Sequence, residues 1–447
     1  MAVLVLMGLV TQGSDEHAAR SETGPRLDTA TNSGSVWYCA EGTSNPDGRA
    51  DETIIVGNVG TTPTRARVTV FPGGDAARVA KQYRVAPGGV TRVRVADIAT
   101  VAEPGVVVEL RGGRAAVEHM VSRGQDRALG PCAREPAPVW RFAGGTTGKG
   151  AELWVALFNP FPDDAIVDLS AISGDGVRSP GALQGIVVPQ YSRVSVPVHR
   201  DLPRVDLVAL EVATRRGRVI AEQSLSLDGS DGRTGIAMTL GAGSAERWYF
   251  PMAVIGSGRS ERLLVTNPGV RQAKVTVRFT LDATAIEPQT LIVPGVTTIA
   301  VDLSRVPTDV GFSMTVRSDR PIVAENVGAS GAPQPATARG IASDLGLTVG
   351  AREWALLPSR LTATSADLAA VMSTDGRARR VEFLTVDRRG QHVVLKKRVA
   401  RGARLVVDIA ATVPDIDRMV LVRADGPIVV ERESARPGIT RSHAVRG

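Results

Sequence analysis

One long-range echo constrains this chain more than any single motif, because nearly the same pattern is written four times at intervals of a little over a hundred residues. Trp37, Trp140, Trp248 and Trp354 open the four units, at steps of 103, 108 and 106. A glutamate follows an apolar run near the end of each, as Glu118, Glu222, Glu325 and Glu431, at steps of 104, 103 and 106. Repeats of roughly 20 to 50 residues build solenoids or propeller blades, whereas about 100 residues suffice for a unit to bury a core of its own. The echo therefore predicts four tandem domains near 36–130, 139–241, 246–345 and 352–440, preceded by a segment over 1–35.

Each unit reads as an all-β sandwich. Forty-seven glycines and 27 prolines interrupt short apolar runs, and no stretch keeps a 3.6-residue apolar period long enough for a convincing helix. In the third unit, strands are expected at Trp248–Phe250, Arg262–Asn267, Lys274–Leu281, Thr290–Val293, Thr297–Leu303, Gly311–Arg317 and Ile322–Asn326. Seven short strands separated by turn residues are the pattern of an immunoglobulin-like antiparallel β-sandwich. The last two strands of each unit flank a short turn, for example Arg111 to Arg114 or Asp425 to Pro427, which reads as a hairpin. Short joints favour an elongated row, but four units could also curl upon themselves, and the sequence leaves that choice open.

The segment 1–35 begins with an apolar run, Ala2 to Val10, followed by a polar tether. The run is far short of the ~20 residues that span a bilayer, and it fits the apolar part of a secretion signal or a membrane anchor. Extracytoplasmic placement, secreted or anchored at the membrane, follows as an expectation, with membrane contact confined to this segment. The two cysteines, Cys39 and Cys132, bracket the first unit and are expected to form a disulfide.

The repeated glutamates Glu118, Glu222, Glu325 and Glu431 tempt a catalytic reading. Each lies among apolar neighbours, so it needs a partner. Arg92, Arg193 and Arg404 are the nearest candidates, for a structural ion pair or a backbone-capping role repeated with the unit. A glycosidase needs two carboxylates facing across one cleft, which four equivalent positions a domain apart do not provide. Asn58, Asn159 and Asn267 recur before Val, Pro and Pro and read as Asx turns. The run Gly144 to Gly150 lacks the first glycine and the Ser/Thr of a phosphate loop, and reads as a plain loop. His17, His119, His199, His392 and His443 stand in no metal or triad motif, so no catalytic, cofactor or metal residue is assigned.

From residue 351 onward the chain carries 18 Lys and Arg against 11 Asp and Glu, so the whole formal excess of +7 falls in the fourth unit. Arg388, Arg389, Lys396, Lys397, Arg398 and Arg401 are the candidate site for an anionic envelope polymer. Aromatic residues are not interleaved with them, which argues against nucleic acid.

The opening Trp37-Tyr38-Cys39-Ala40-Glu41-Gly42 resembles the Trp-Tyr-Phe-Ala-Glu-Gly segment that opens each unit in an exported actinobacterial repeat family of unknown function. Trp248-Tyr249-Phe250-Pro251 and the closing Pro321 to Glu325 and Pro427 to Glu431 are similar, while Trp354-Ala355-Leu356-Leu357 departs from the pattern. The resemblance implies export and a noncatalytic β-repeat body without an active site to carry over. The expected function is a cell-envelope scaffold that binds a protein or glycan partner. The alternatives are a carbohydrate-active hydrolase with a site between domains, or a polyanion-binding module in the basic fourth unit.

Overall fold

The computed structural model describes residues 34–446 apart from 113, 257, 282–285, 332–338, 359–365 and 436–438. The signal or anchor reading therefore lies almost wholly outside the described residues. The chain is almost entirely strand, with neighbouring strands antiparallel. In the first unit, one sheet has the order Ser35–Cys39, Gly105–Arg111, Thr64–Phe71, Val79–Val85, and its partner has Val90–Arg94, Asp51–Asn58, Ala115–Arg123, Asp126–Pro131. The same two orders recur in the other three units. In the third and fourth, the long strands Gly311–Ser330 and Val420–Ala435 belong to both sheets and join them.

That continuity corrects the hairpin expectation. Gly105–Arg111 pairs with Thr64–Phe71, whereas Ala115–Arg123 pairs with Asp51–Asn58, so the turn between them carries the chain from one sheet to the other. A hairpin would have put both strands in one sheet and left the other without its central strand. An eighth strand, Gly340–Leu345, also follows the seven expected in the third unit. Its counterparts are Asp126–Pro131, Thr234–Leu240 and Ile439–His443. The last of these extends past the expected end of the fourth unit at 440.

The two sequence markers meet in each core. Trp37, Trp248 and Trp354 are fully buried, and burying a side chain of this size contributes on the order of 3 kcal/mol or more. The indole N–H must also find an acceptor. Trp140 donates to the Val219 carbonyl at 3.0 Å, Trp248 to Ile322 at 3.1 Å and Trp354 to Ile428 at 2.8 Å. Each acceptor lies three residues before the unit's glutamate, so tryptophan and glutamate are fixed to one another by the strand that crosses between sheets. Trp37 instead donates to Ser35 Oγ at 3.3 Å.

The four units close into a ring. The four eighth strands pack around a common axis, each touching the next and the last touching the first. Between the fourth and first units, Val90 N donates to Asp417 O and Met419 N donates to Gly88 O, both at 3.0 Å. Arg114 pairs with Glu353 across the same seam. Gly88 has φ +65°, and a Cβ there would lie 1.7 Å from the Val386 carbonyl oxygen of the fourth unit. The first core likewise takes in Leu357, Leu384, Met419 and Leu421. The choice between a row and a curl is settled by these contacts, and the units share cores rather than hanging as separate beads.

Candidate functional site

Each repeated glutamate is buried and reaches backward into the preceding unit. Glu222 Oε2 accepts from the amides of Ala40 at 3.1 Å and Glu41 at 2.6 Å. Glu325 Oε2 accepts from Ala143 at 2.7 Å and Gly144 at 2.6 Å. Glu431 Oε2 accepts from Met252 alone at 3.0 Å, because the third unit has Pro251, without an amide hydrogen, at the position of Ala40 and Ala143. These amides stand three and four residues after the opening tryptophan, where the first strand bends toward the axis. The loop beginning at Gly144 is thus capped by a carboxylate rather than offered to a phosphate. Glu118 completes the circle against the fourth unit, beside Arg432 and Asp367.

Three of the four glutamates, Glu222, Glu325 and Glu431, cap backbone amides, and the expected arginine partners bind elsewhere. Arg193 donates to the carbonyls of Gly42 and Pro104, Arg92 to Ile416 and Pro358, and Arg404 to Phe312. All three brace a neighbouring unit's backbone. A guanidinium has only donors, so strand-end carbonyls suit it as well as a carboxylate does.

Around this frame, each seam balances its charge differently. Six residues before Asn58, Asn159, Asn267 and Ser373 stand Glu52, Leu153, Glu261 and Asp367, and directly after the glutamates stand His119, Gln223, Asn326 and Arg432. Between the first and second units, the His119 ring is held by Glu52 at 3.0 Å and Glu222 at 3.3 Å. Burial alone would lower the His119 pKa, but the Glu222 and Glu52 carboxylates outweigh it and push it up to about 10. Burial pushes Glu52 up to about 7 against the pull of the same imidazole. Glu41 is held below the usual carboxylate range, because Arg193 and Arg49 overcome the cost of burial.

Between the second and third units the glutamate's side-chain partners are hydroxyls. Glu325 Oε1 accepts from Ser343 Oγ at 2.6 Å and Thr239 Oγ1 at 3.3 Å, and burial raises its pKa. Between the fourth and first, Arg432 grips Asp367 through two bonds of 2.6 Å, while burial pushes Glu118 up to about 8. Between the third and fourth, Arg441 binds Glu261 at 2.9 Å and Glu433 at 2.8 Å, with Asp344, Glu431 and His443 alongside. The axial cavity next to this cluster measures about 50 Å³. That is room for water-sized groups and too little for a sugar ring.

An open groove of about 960 Å³ lies where the first unit meets the second. Tyr38, Phe71, Phe161 and Tyr191 line it, together with Arg67, Asp75, Arg78 and Glu109. The Arg78 guanidinium stacks 4.2 Å from the Tyr191 ring, and Arg218 stacks 4.0 Å from Phe161. Its four rings come from two units and distant positions, so only the folded seam reveals them.

The six basic residues singled out from the sequence lie along one edge strand and the turns at its two ends. Lys396, Lys397 and Arg398 lie on the exposed edge strand Gly390–Val399, with Arg388 and Arg389 at the turn before it and Arg401 at the turn after. Lys396 is partly offset by Glu382 at 3.2 Å. The asparagines behave as Asx turns: Asn58 Oδ1 accepts from Gly60 N, Asn159 from Phe161 N and Asn267 from Gly269 N. Cys39 and Cys132 are disulfide-bonded, as an oxidising, extracytoplasmic environment permits. Among the described residues, no helix is long and apolar enough to cross a membrane.

The geometry defines a class, a closed ring of four two-sheet β units clasped by buried glutamates. The chain belongs to the family of unknown function DUF5719, whose model matches residues 112–410. The chain is similar to a Thermotoga maritima protein (Thermotoga maritima 1070) at 19% identity, covering 23% of this chain and 93% of that one with a TM-score of 0.21. The Anabaena sensory rhodopsin transducer is similar at 22% identity, covering 19% and 95% with a TM-score of 0.17. A tetra-tandem repeat from the extending region of a large adhesion protein aligns at 12% identity over 92% and 99%, with a TM-score of 0.11. No curated protein matches the chain.

Proposed function

We propose that the protein is a noncatalytic binding scaffold of the cell envelope, secreted or membrane-anchored, that holds a glycan in the groove between its first and second units. The observation that carries this reading is the groove itself. The half-buried rings of Tyr38, Phe161 and Tyr191 beside arginines and carboxylates suit a ligand with apolar C–H faces and hydroxyl rims, and an open groove of about 960 Å³ has room for one. The hydrolase alternative draws no support from the repeated glutamates, three of which are occupied by backbone amides while the fourth is buried beside Arg432. Titration calorimetry with envelope oligosaccharides tests the proposal. Phe161→Ala and Arg78→Ala should each weaken binding about tenfold or more, equivalent to ~1.4 kcal/mol. Unchanged affinity in both variants, or binding only to a protein partner, would reject it.

A second reading, binding of anionic envelope polymers, rests on the exposed basic edge strand of the fourth unit. Lys396, Lys397 and Arg398 replaced together by glutamine should abolish low-salt binding to such a polymer, because the attraction is one of charge and falls with ionic strength.

A further inference from the structure

We propose that the seam between the third and fourth units holds one divalent cation, bound by Asp344, Glu431 and His443. One oxygen from each carboxylate and one ring nitrogen of His443 lie within 4.8 Å of one another, and all three side chains are at least nine-tenths buried or nearly so. Asp344 Oδ1 and Oδ2, Glu431 Oε1 and His443 Nδ1 have no hydrogen-bond partner. Buried polar atoms normally acquire one, so three such side chains, each with a ligand atom within 4.8 Å of the others, leave a place for an occupant.

Charge counting points the same way. The seam contains four acids, Glu261, Asp344, Glu431 and Glu433, from two units. Two guanidiniums face them: Arg441, and Arg259 at 2.7 Å from Glu433. Both of Arg441's contacts below 3 Å go to Glu261 and Glu433, leaving Asp344 at 3.7 Å and Glu431 at 3.3 Å on its margin. Counted as ionised, the four carboxylates outnumber the two guanidiniums by two, and a divalent ion would supply the balance. The first seam needs none, because Arg49, Arg193 and a charged His119 match Glu41, Glu52 and Glu222.

One imidazole and two carboxylates suit a first-row cation such as Zn²⁺ or Mn²⁺. The adjacent cavity of about 50 Å³ accommodates the ion's remaining water ligands. His443 Nε2 lies 3.5 Å from Asp344 Oδ2 and donates to the Leu345 carbonyl, which leaves Nδ1 as the ring atom able to ligate. Such an ion would fasten the third unit to the fourth, as His119 fastens the first to the second.

The test uses untagged, oxidised full-length protein, stripped with a chelator and dialysed against Zn²⁺, Mn²⁺ or Co²⁺. Elemental analysis should find one ion per chain, and the melting temperature should rise on loading. Asp344→Asn and His443→Gln should both lose the ion. The Asp344→Asn protein should melt no lower than the stripped wild type, since it removes an uncompensated charge, and this separates a ligand role from simple misfolding. Substoichiometric uptake by the wild type, or uptake that neither variant changes, overturns the site.

Discussion

Replacing Glu325 distinguishes a clasp from an ordinary buried residue. Its Oε2 accepts two backbone amides of the second unit, at 2.7 and 2.6 Å, and its Oε1 accepts the hydroxyls of Ser343 and Thr239. In Glu325→Ala the hydroxyls can rotate toward other acceptors, but the amides of Ala143 and Gly144 cannot. Each orphaned buried amide costs about 1–3 kcal/mol, so the pair costs about 2–6 kcal/mol. Glu325→Gln keeps a carbonyl oxygen for the two amides and turns its NH₂ toward the hydroxyls, which can accept. Burial already disfavours the charged form, so the glutamine variant should lose only about 1 kcal/mol. Chemical denaturation followed by tryptophan fluorescence reads both. If alanine costs no more than glutamine, the amide clasp does not hold the seam.

Three further outcomes follow from the same geometry. Glu52 and Glu118 have folded pKa values raised above 4.5, and His119 one raised above 6.5. The folded state therefore holds protons more tightly than the unfolded chain: the carboxylates remove stability as pH rises from about 4.5 to about 8, and His119 contributes stability present below 6.5 that is lost by about 10. The denaturation midpoint should fall from pH 5 to pH 9, with His119→Gln flattening the alkaline part of the curve; a rising midpoint contradicts this. Gly88→Ala should open the seam between the fourth and first units, since the substitution combines a positive φ with a backbone collision, and faster proteolysis at Gly88 and Val386 would report it. Replacing Cys39 and Cys132 by serine should cost about 4–5 kcal/mol, from a bond spanning 93 residues of sequence, and an unchanged denaturation midpoint would refute the figure.

Much of the fold was legible because tryptophan and glutamate carry a direct structural link, the indole bond to a carbonyl three residues before the glutamate. Asx turns are local properties, and Asn58, Asn159 and Asn267 form them as their places before Val, Pro and Pro imply. The sheet crossing near residue 112 was not legible, since a tight turn looks the same whether or not its flanking strands pair. The eighth strand was hidden because Gly340–Leu345 is buried on both sides by other units, so no alternation marks it. His119 and His443 gave no motif, because their partners come from different units. The spacing of six residues linking Glu52 to Asn58, Glu261 to Asn267 and Asp367 to Ser373 could have placed a buried acid in three of the four units. The aromatic groove had no local signal at all.

The central claim is ring closure, and small-angle X-ray scattering on the monomer tests it most directly. A compact chain of 447 residues should give a radius of gyration of about 22 Å. Four sandwiches strung in a row would instead give on the order of 40 Å. A value in the low twenties supports the closed ring, and one near the larger figure contradicts it.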